Sequence, residues 1–392
     1  MPDEYFKTSF GDLITIVPGL DKKLYHGFYR KTEVNAWLER CPESDIPRWQ
    51  GNKVEFDDMR SDLYGFALLI DFMEELNLLY EDPFDRVLDI GGREGIHAAL
   101  FRGHFARHAD VADILDGRNS QLGKMIKAEY KKRYRKHQIA DRLMTYHKWT
   151  RFLFRLFYPN FNDLARLNPG RYNNIPSYHN YFNFNFQREP NVDNYIIGDC
   201  LKAPIEEDAY DVVLTFESFY LFDATTAIPR VASFLKKGKF FAGLFPYAWN
   251  SLSTYGLSGD FAFFEQRLIL EDICKYYEIY KPEIRDSVEQ LYYAIDPNRP
   301  TIRQYIDLFL DNGMILKGYK RLFQKQPYCL ASKHRFRNHP LTESNIDTQH
   351  GNEEIIVVDA DEVLANIARF RKDVKFEDLM TKGVLMVFEK AI

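Results

Sequence analysis

VLDIGGREG, Val87–Gly95, is a short apolar run that ends in Asp-x-Gly and turns through glycines. A run of this kind reads as a strand, and glycines directly after it let a ligand lie against the backbone. The strand extends back to Arg86, and Ile96–Arg107 after the turn is compatible with a helix. Strand, tight turn and helix in that order open a doubly wound α/β fold. A pyrophosphate fingerprint would need GxGxxG in register, but two residues after Gly91 stands Arg93, whose side chain would crowd a dinucleotide. A nucleotide-dependent oxidoreductase is therefore the weaker reading.

Outward from this turn, Val111–Asp116 (VADILD) reads as a second short strand that ends in a carboxylate. The next strand signal is Tyr195–Ile197, far more chain than one crossover helix needs, so residues 118–190 read as an insertion. Leu122–Gln138 is basic and helical in character, Trp149–Phe161 is aromatic, and Asn168–Phe186 is loaded with Asn, Tyr and Phe. The α/β rhythm returns with strand Asp211–Phe216, helix Thr225–Leu235, turn Lys236–Lys239 and strand Phe240–Phe245. A second insertion, 247–300, has helical patterning at Phe261–Tyr277, and helix Ile302–Leu310 and strand Met314–Tyr319 follow it. Gly383–Glu389 reads as a closing strand, and Leu63–Tyr80 as an amphipathic helix. The expected organisation is an N-terminal helical cap over 1–80 and one domain over 81–392. That domain carries large, mainly helical insertions at 118–190 and 247–300 and a C-terminal one at 324–380.

The 392 residues are 45% hydrophobic and 28% charged, the balance of an ordinary globular protein. A net charge of -5 gives no overall nucleic-acid signature, so no DNA partner is expected. No stretch is long and apolar enough to span a bilayer and the N-terminus does not read as a secretory signal, so a cytoplasmic location is expected. Cys41, Cys200, Cys274 and Cys329 show no CxxC spacing, which implies reduced thiols; with no metal-ligand cluster, metal independence is expected.

Asp89, Gly91 and Gly95 match the first motif of the class I (Rossmann-like) S-adenosylmethionine (SAM)-dependent methyltransferases, a strand followed by Asp/Glu-x-Gly-x-Gly-x-Gly, and the chain resembles that family. Gly92 and Arg93 complete the loop, with Arg93 in place of the middle glycine beside the methionyl part of the cofactor. The family has an acidic residue at the end of strand two that holds the ribose hydroxyls. By the resemblance this is Asp116, with Asp113 as the alternative, since one carboxylate can accept from both hydroxyls. Ile196–Phe222 (IIGDCLKAPIEEDAYDVVLTFESFYLF) resembles the family's Gly-Asp segment, acidic cluster and fourth strand. This implies that Asp199 accepts from the adenine amino group, that Cys200 and Leu201 pack near the ring, and that Glu217 faces cofactor or substrate. Leu235–Pro246 (LKKGKFFAGLFP) resembles the turn and fifth strand, with Lys237 replacing a proline. The matched segments are Arg86–Asp116 and Tyr195–Pro246, with weaker agreement at Thr301–Tyr319 and Gly383–Glu389. The resemblance implies a seven-stranded sheet with helices on both faces, SAM as cofactor and S-adenosylhomocysteine as product.

An activated methyl needs mainly alignment and exclusion of water. For a hydroxyl acceptor a base is useful, and His147, His179 and Glu217 are the candidates. The two larger insertions are expected to build the acceptor pocket, and their Tyr and Phe content suits a small-molecule or glycan-like acceptor as well as simple packing. Lys124, Lys127, Lys131, Lys132, Arg133, Arg135 and Lys136 crowd one stretch. With the aromatics that follow, they suit a solvated helix face, an anionic membrane or an RNA. A catalytically inactive scaffold with the same fold is the alternative that Arg93 suggests.

Overall fold

The computed structural model describes residues 5–18, 20, 66, 68–79, 82–119, 131, 135, 188–216, 218–249, 259–282, 285, 288, 299–323, 328–331 and 356–392. Its centre is a 7-stranded sheet. In chain order its strands are β3 (Phe84–Ile90), β4 (Ala106–Asp113), β5 (Asn194–Ile197), β6 (Tyr210–Phe216), β7 (Leu235–Pro246), β8 (Met314–Phe323) and β11 (Thr381–Lys390). Their spatial order is β5-β4-β3-β6-β7-β11-β8, with β11 antiparallel to both of its neighbours and the remaining described pairs parallel. This is the expected Rossmann-like α/β sheet.

Helix α1 (Ile96–His104) joins β3 to β4, α2 (Ala224–Phe234) joins β6 to β7, and α5 (Ile302–Asp311) precedes β8. Both faces of the sheet are covered. Leu88, Ile90, Val213 and Phe241 pack with Ile228 and Val231 of α2 and Phe309 of α5. Val87, Val111, Val212 and Leu214 pack with Leu100 and Phe101 of α1 and with Phe66, Leu69 and Met73 of the N-terminal helical stretch. Burial on both faces explains why these strands read as continuous apolar runs and not as alternating ones.

A third apolar cluster lies outside the sheet. An antiparallel hairpin, β1 (Tyr5–Lys7) with β2 (Leu13–Thr15), packs Phe6 and Ile14 against Phe261, Phe264 and Tyr276, from α3 (Phe264–Arg267) and α4 (Leu270–Tyr280) and the residues just before them. Ser9 N donates to Asp272 Oδ1 at 2.6 Å and Ser9 Oγ to Oδ2 at 3.1 Å, while Asp12 pairs with Arg369 at 2.9 Å. The last region adds a parallel pair, β9 (Tyr328–Ala331) with β10 (Ile356–Asp359), and helices α6 (Ala360–Ile367) and α7 (Phe376–Met380).

Four local readings differ from the sequence expectation. Strand two begins at Ala106 and ends at Asp113, not at Asp116, because pairing from Phe84↔Ala106 to Ile90↔Ala112 sets its span and ends α1 at His104. The expected turn Lys236–Lys239 is part of β7, where Gly238 at φ 70° takes up a register irregularity and Lys236 and Lys239 neutralise Asp211. The helical patterning expected at Phe261–Tyr277 begins as a helix only at Phe264 and is broken at Leu268–Ile269. The N-terminal segment, read as helical, begins with the hairpin.

Candidate functional site

The loops at the C-terminal ends of β4, β3 and β6 meet where the strand order reverses, the crevice in which open α/β sheets bind ligands. Asp89, one residue before the end of β3, is 0% exposed and points to the α1 face of the sheet. Among the described residues neither of its oxygens makes a hydrogen bond of ordinary geometry, and the Ala98 backbone amide of α1 lies close enough to favour the ionised form. Burial pushes its carboxyl up to about 8; the nearby Asp113 charge adds to the rise and the Ala98 backbone amide opposes it. A buried carboxyl so sparsely satisfied is costly, and such groups concentrate where ligands bind.

The loop around it is tightly confined. Gly91 has φ 72° and Gly95 φ 75°, so both need a residue tolerant of the left-handed region. A β-carbon on Gly91 would overlap Ser218 Oγ, one on Gly92 would sit 2.6 Å from Asp89 Cγ, and one on Gly95 would sit 2.7 Å from Tyr195 Oη. Gly91 N donates to Ala112 O at 2.8 Å and Tyr195 Oη to Glu94 O at 3.1 Å. Arg93 occupies the middle-glycine position at φ 32°, with its side chain 47% exposed and its Nε 3.3 Å from Glu94 Oε1. Gly95 caps the nine-residue α1, whose N-terminus adds its partial positive charge to the loop.

Asp113 closes β4 and fastens two turns: Oδ2 accepts from Arg93 N at 2.9 Å and Oδ1 from Leu115 N at 2.7 Å. Asp116 lies three residues further on and holds Arg118 through Oδ1 at 2.8 Å and Oδ2 at 2.6 Å. Gly117 packs on the Arg93–Glu94 peptide, with its virtual β-carbon 2.8 Å from Glu94 N, so the two loops are in direct backbone contact. After β5, Asp199 Oδ1 accepts from Leu201 N at 3.0 Å and Oδ2 faces Lys202 Nζ at 3.3 Å. Cys200 is buried in the core, and desolvation pushes its thiol up to about 12, so it is a protonated packing group.

The structure thus gathers Asp89, Gly91, Gly92, Arg93, Gly95, Asp113 and Asp116 at one crevice. His147, His179 and Glu217 lie outside the described residues. His97, on the first turn of α1, stacks on Phe216 at the end of β6 with ring centroids 4.0 Å apart. Sequence reasoning missed Ser218, Tyr195 and Gly117. Gly117 carried a signal, a glycine directly after the second loop's acidic residue; a lone serine or tyrosine carries none.

No protein-family model matches the chain, and no curated protein matches it. Solved structures similar to it include geranyl diphosphate C-methyltransferase from Streptomyces coelicolor A3(2), at 12% identity over 83% of this chain and 76% of that one, with a TM-score of 0.38. The complex between the Haloferax volcanii Trm112 methyltransferase activator and the putative methyltransferase matches at 12% identity, 92% and 98% coverage and a TM-score of 0.39. A putative sarcosine dimethylglycine methyltransferase from Galdieria sulphuraria matches at 12% identity, 85% and 88% coverage and a TM-score of 0.36.

Proposed function

We propose that the chain is a SAM-dependent methyltransferase that acts on oxygen or nitrogen of a small-molecule or glycan-like acceptor. The observation that carries this reading is Asp89, a fully buried carboxyl that among the described residues meets at most the Ala98 backbone amide, beside a loop whose Gly91, Gly92 and Gly95 leave no room for a β-carbon. A cationic ligand group brought to Asp89 would restore its ionised form, and the loop's backbone and the α1 N-terminus suit a polar ligand lying close to the chain. On this reading the loop and Asp89 serve the amino-acid part of SAM, Asp113 or Asp116 the ribose, and Asp199 the base.

SAM supplies a methyl group already activated on a sulfonium. The protein's share is to bind and align the reactants and exclude water; for a hydroxyl acceptor His147, His179 and Glu217 are proposed as the base. Arg93 is paired with Glu94 at 3.3 Å and its side chain is 47% exposed, which favours a working site over an inactive scaffold.

Isothermal titration with SAM and S-adenosylhomocysteine tests this on the wild type and on Asp89→Ala, Asp113→Ala and Asp116→Ala. Saturable binding by the wild type that is lost in Asp89→Ala, with folding intact by circular dichroism, supports the reading. A folded wild type that binds neither compound overturns it.

A further inference from the structure

We infer that Ser218 is a positioning residue that holds the glycine loop of β3 in its ligand-binding shape, an inference that rests on the cofactor reading above. Ser218 is 9% exposed and reaches across from the end of β6. Its Oγ donates to Ile90 O at 2.8 Å, at the point where β3 becomes the loop. A serine hydroxyl has one proton, so at the 3.0 Å contact with Thr215 Oγ1 it is Thr215 that donates.

The hydroxyl chain runs from Thr215 through Ser218 to Ile90, and its source lies inside the sheet. Thr215 is fully buried and sits level with Ile90 on one side and Gly243 of β7 on the other. Thr215 Cγ2 occupies the space that a β-carbon on Gly243 would take, 2.6 Å from that position, so the glycine at 243 makes room for the threonine. At the other end Ser218 fills the space a side chain on Gly91 would take, while Ala112 O holds Gly91 N from the β4 side. Gly91 is therefore held between two neighbouring strands, by Ala112 O from β4 and by Ser218 from the β6 side.

The test compares wild type, Ser218→Ala and Thr215→Val. In the unliganded proteins, hydrogen exchange should quicken at residues 91–96 in both variants while β3 and β6 stay protected. In titrations, Ser218→Ala should weaken S-adenosylhomocysteine by about tenfold, yet leave methylthioadenosine, which lacks the amino-acid part, within about twofold. Equal losses for both compounds would mean a general structural role and overturn the inference. Unchanged exchange at 91–96 would overturn it even if the wild type binds neither compound, an outcome that separately defeats the cofactor reading.

Discussion

A β-carbon added to Gly92 would stand 2.6 Å from Asp89 Cγ, so Gly92 is one wall of the space that holds the buried carboxyl. Gly92→Ala must therefore displace the Asp89 side chain. Overpacking a confined site costs about 1–3 kcal/mol. We expect a lowered denaturation midpoint and loss of S-adenosylhomocysteine binding in calorimetry. Retained affinity would show that Asp89 does not touch the ligand.

Asp89 sets a pH dependence whose sign follows from the direction of its shift. Its carboxyl rises from 3.8 to about 8, so the folded protein holds a proton that the unfolded chain releases. The stabilisation is complete below about pH 4 and is lost as pH rises toward about 8. Asp89→Asn should flatten this slope in urea unfolding measured across that range. An identical slope in wild type and variant would refute the assignment.

Asp113 and Asp116 differ in what their loss exposes. Asp113→Ala removes two hydrogen bonds to the exposed Arg93 and Leu115 amides and should cost about 1–2 kcal/mol. Asp116→Ala removes an exposed pair with Arg118 and should cost under about 1 kcal/mol. Thermal unfolding of the two variants checks the order. If Asp116 alone then controls affinity for SAM, it is the ribose acceptor.

Asp272 is buried and anchors the N-terminal hairpin through Ser9. Asp272→Ala should release β1 and β2, seen as faster hydrogen exchange at residues 5–15 with the central sheet still protected. Unchanged protection would place the anchoring in the Phe6–Tyr276 ring contact, at 5.6 Å, instead.

The glycine loop was legible because its requirement is local: β3, Asp89 and the turn are consecutive residues, and apolar runs mark strands buried on both faces. Strand two was misplaced because Arg107 and His108 break its apolar run, and only pairing with β3 shows that it starts at Ala106. The continuity of β7 through its three lysines was hidden for a similar reason, as Asp211 and Asp85 lie elsewhere in the chain. The hairpin depends on Asp272, 263 residues from Ser9, a separation that no periodicity reports. Asp113 and Asp116 could not be separated by sequence alone, because their difference lies in which amide or guanidinium each one meets.

The position of β11 has a consequence for synthesis on the ribosome. Residues 381–390 occupy an interior place in the sheet, between β7 and β8, although both of those strands leave the exit tunnel long before. Until β11 arrives, the edges of β7 and β8 that it pairs with are both open. Completion of the domain is therefore a late event, and the interval before it is when a holdase or a neighbouring nascent chain would find the most open backbone to bind.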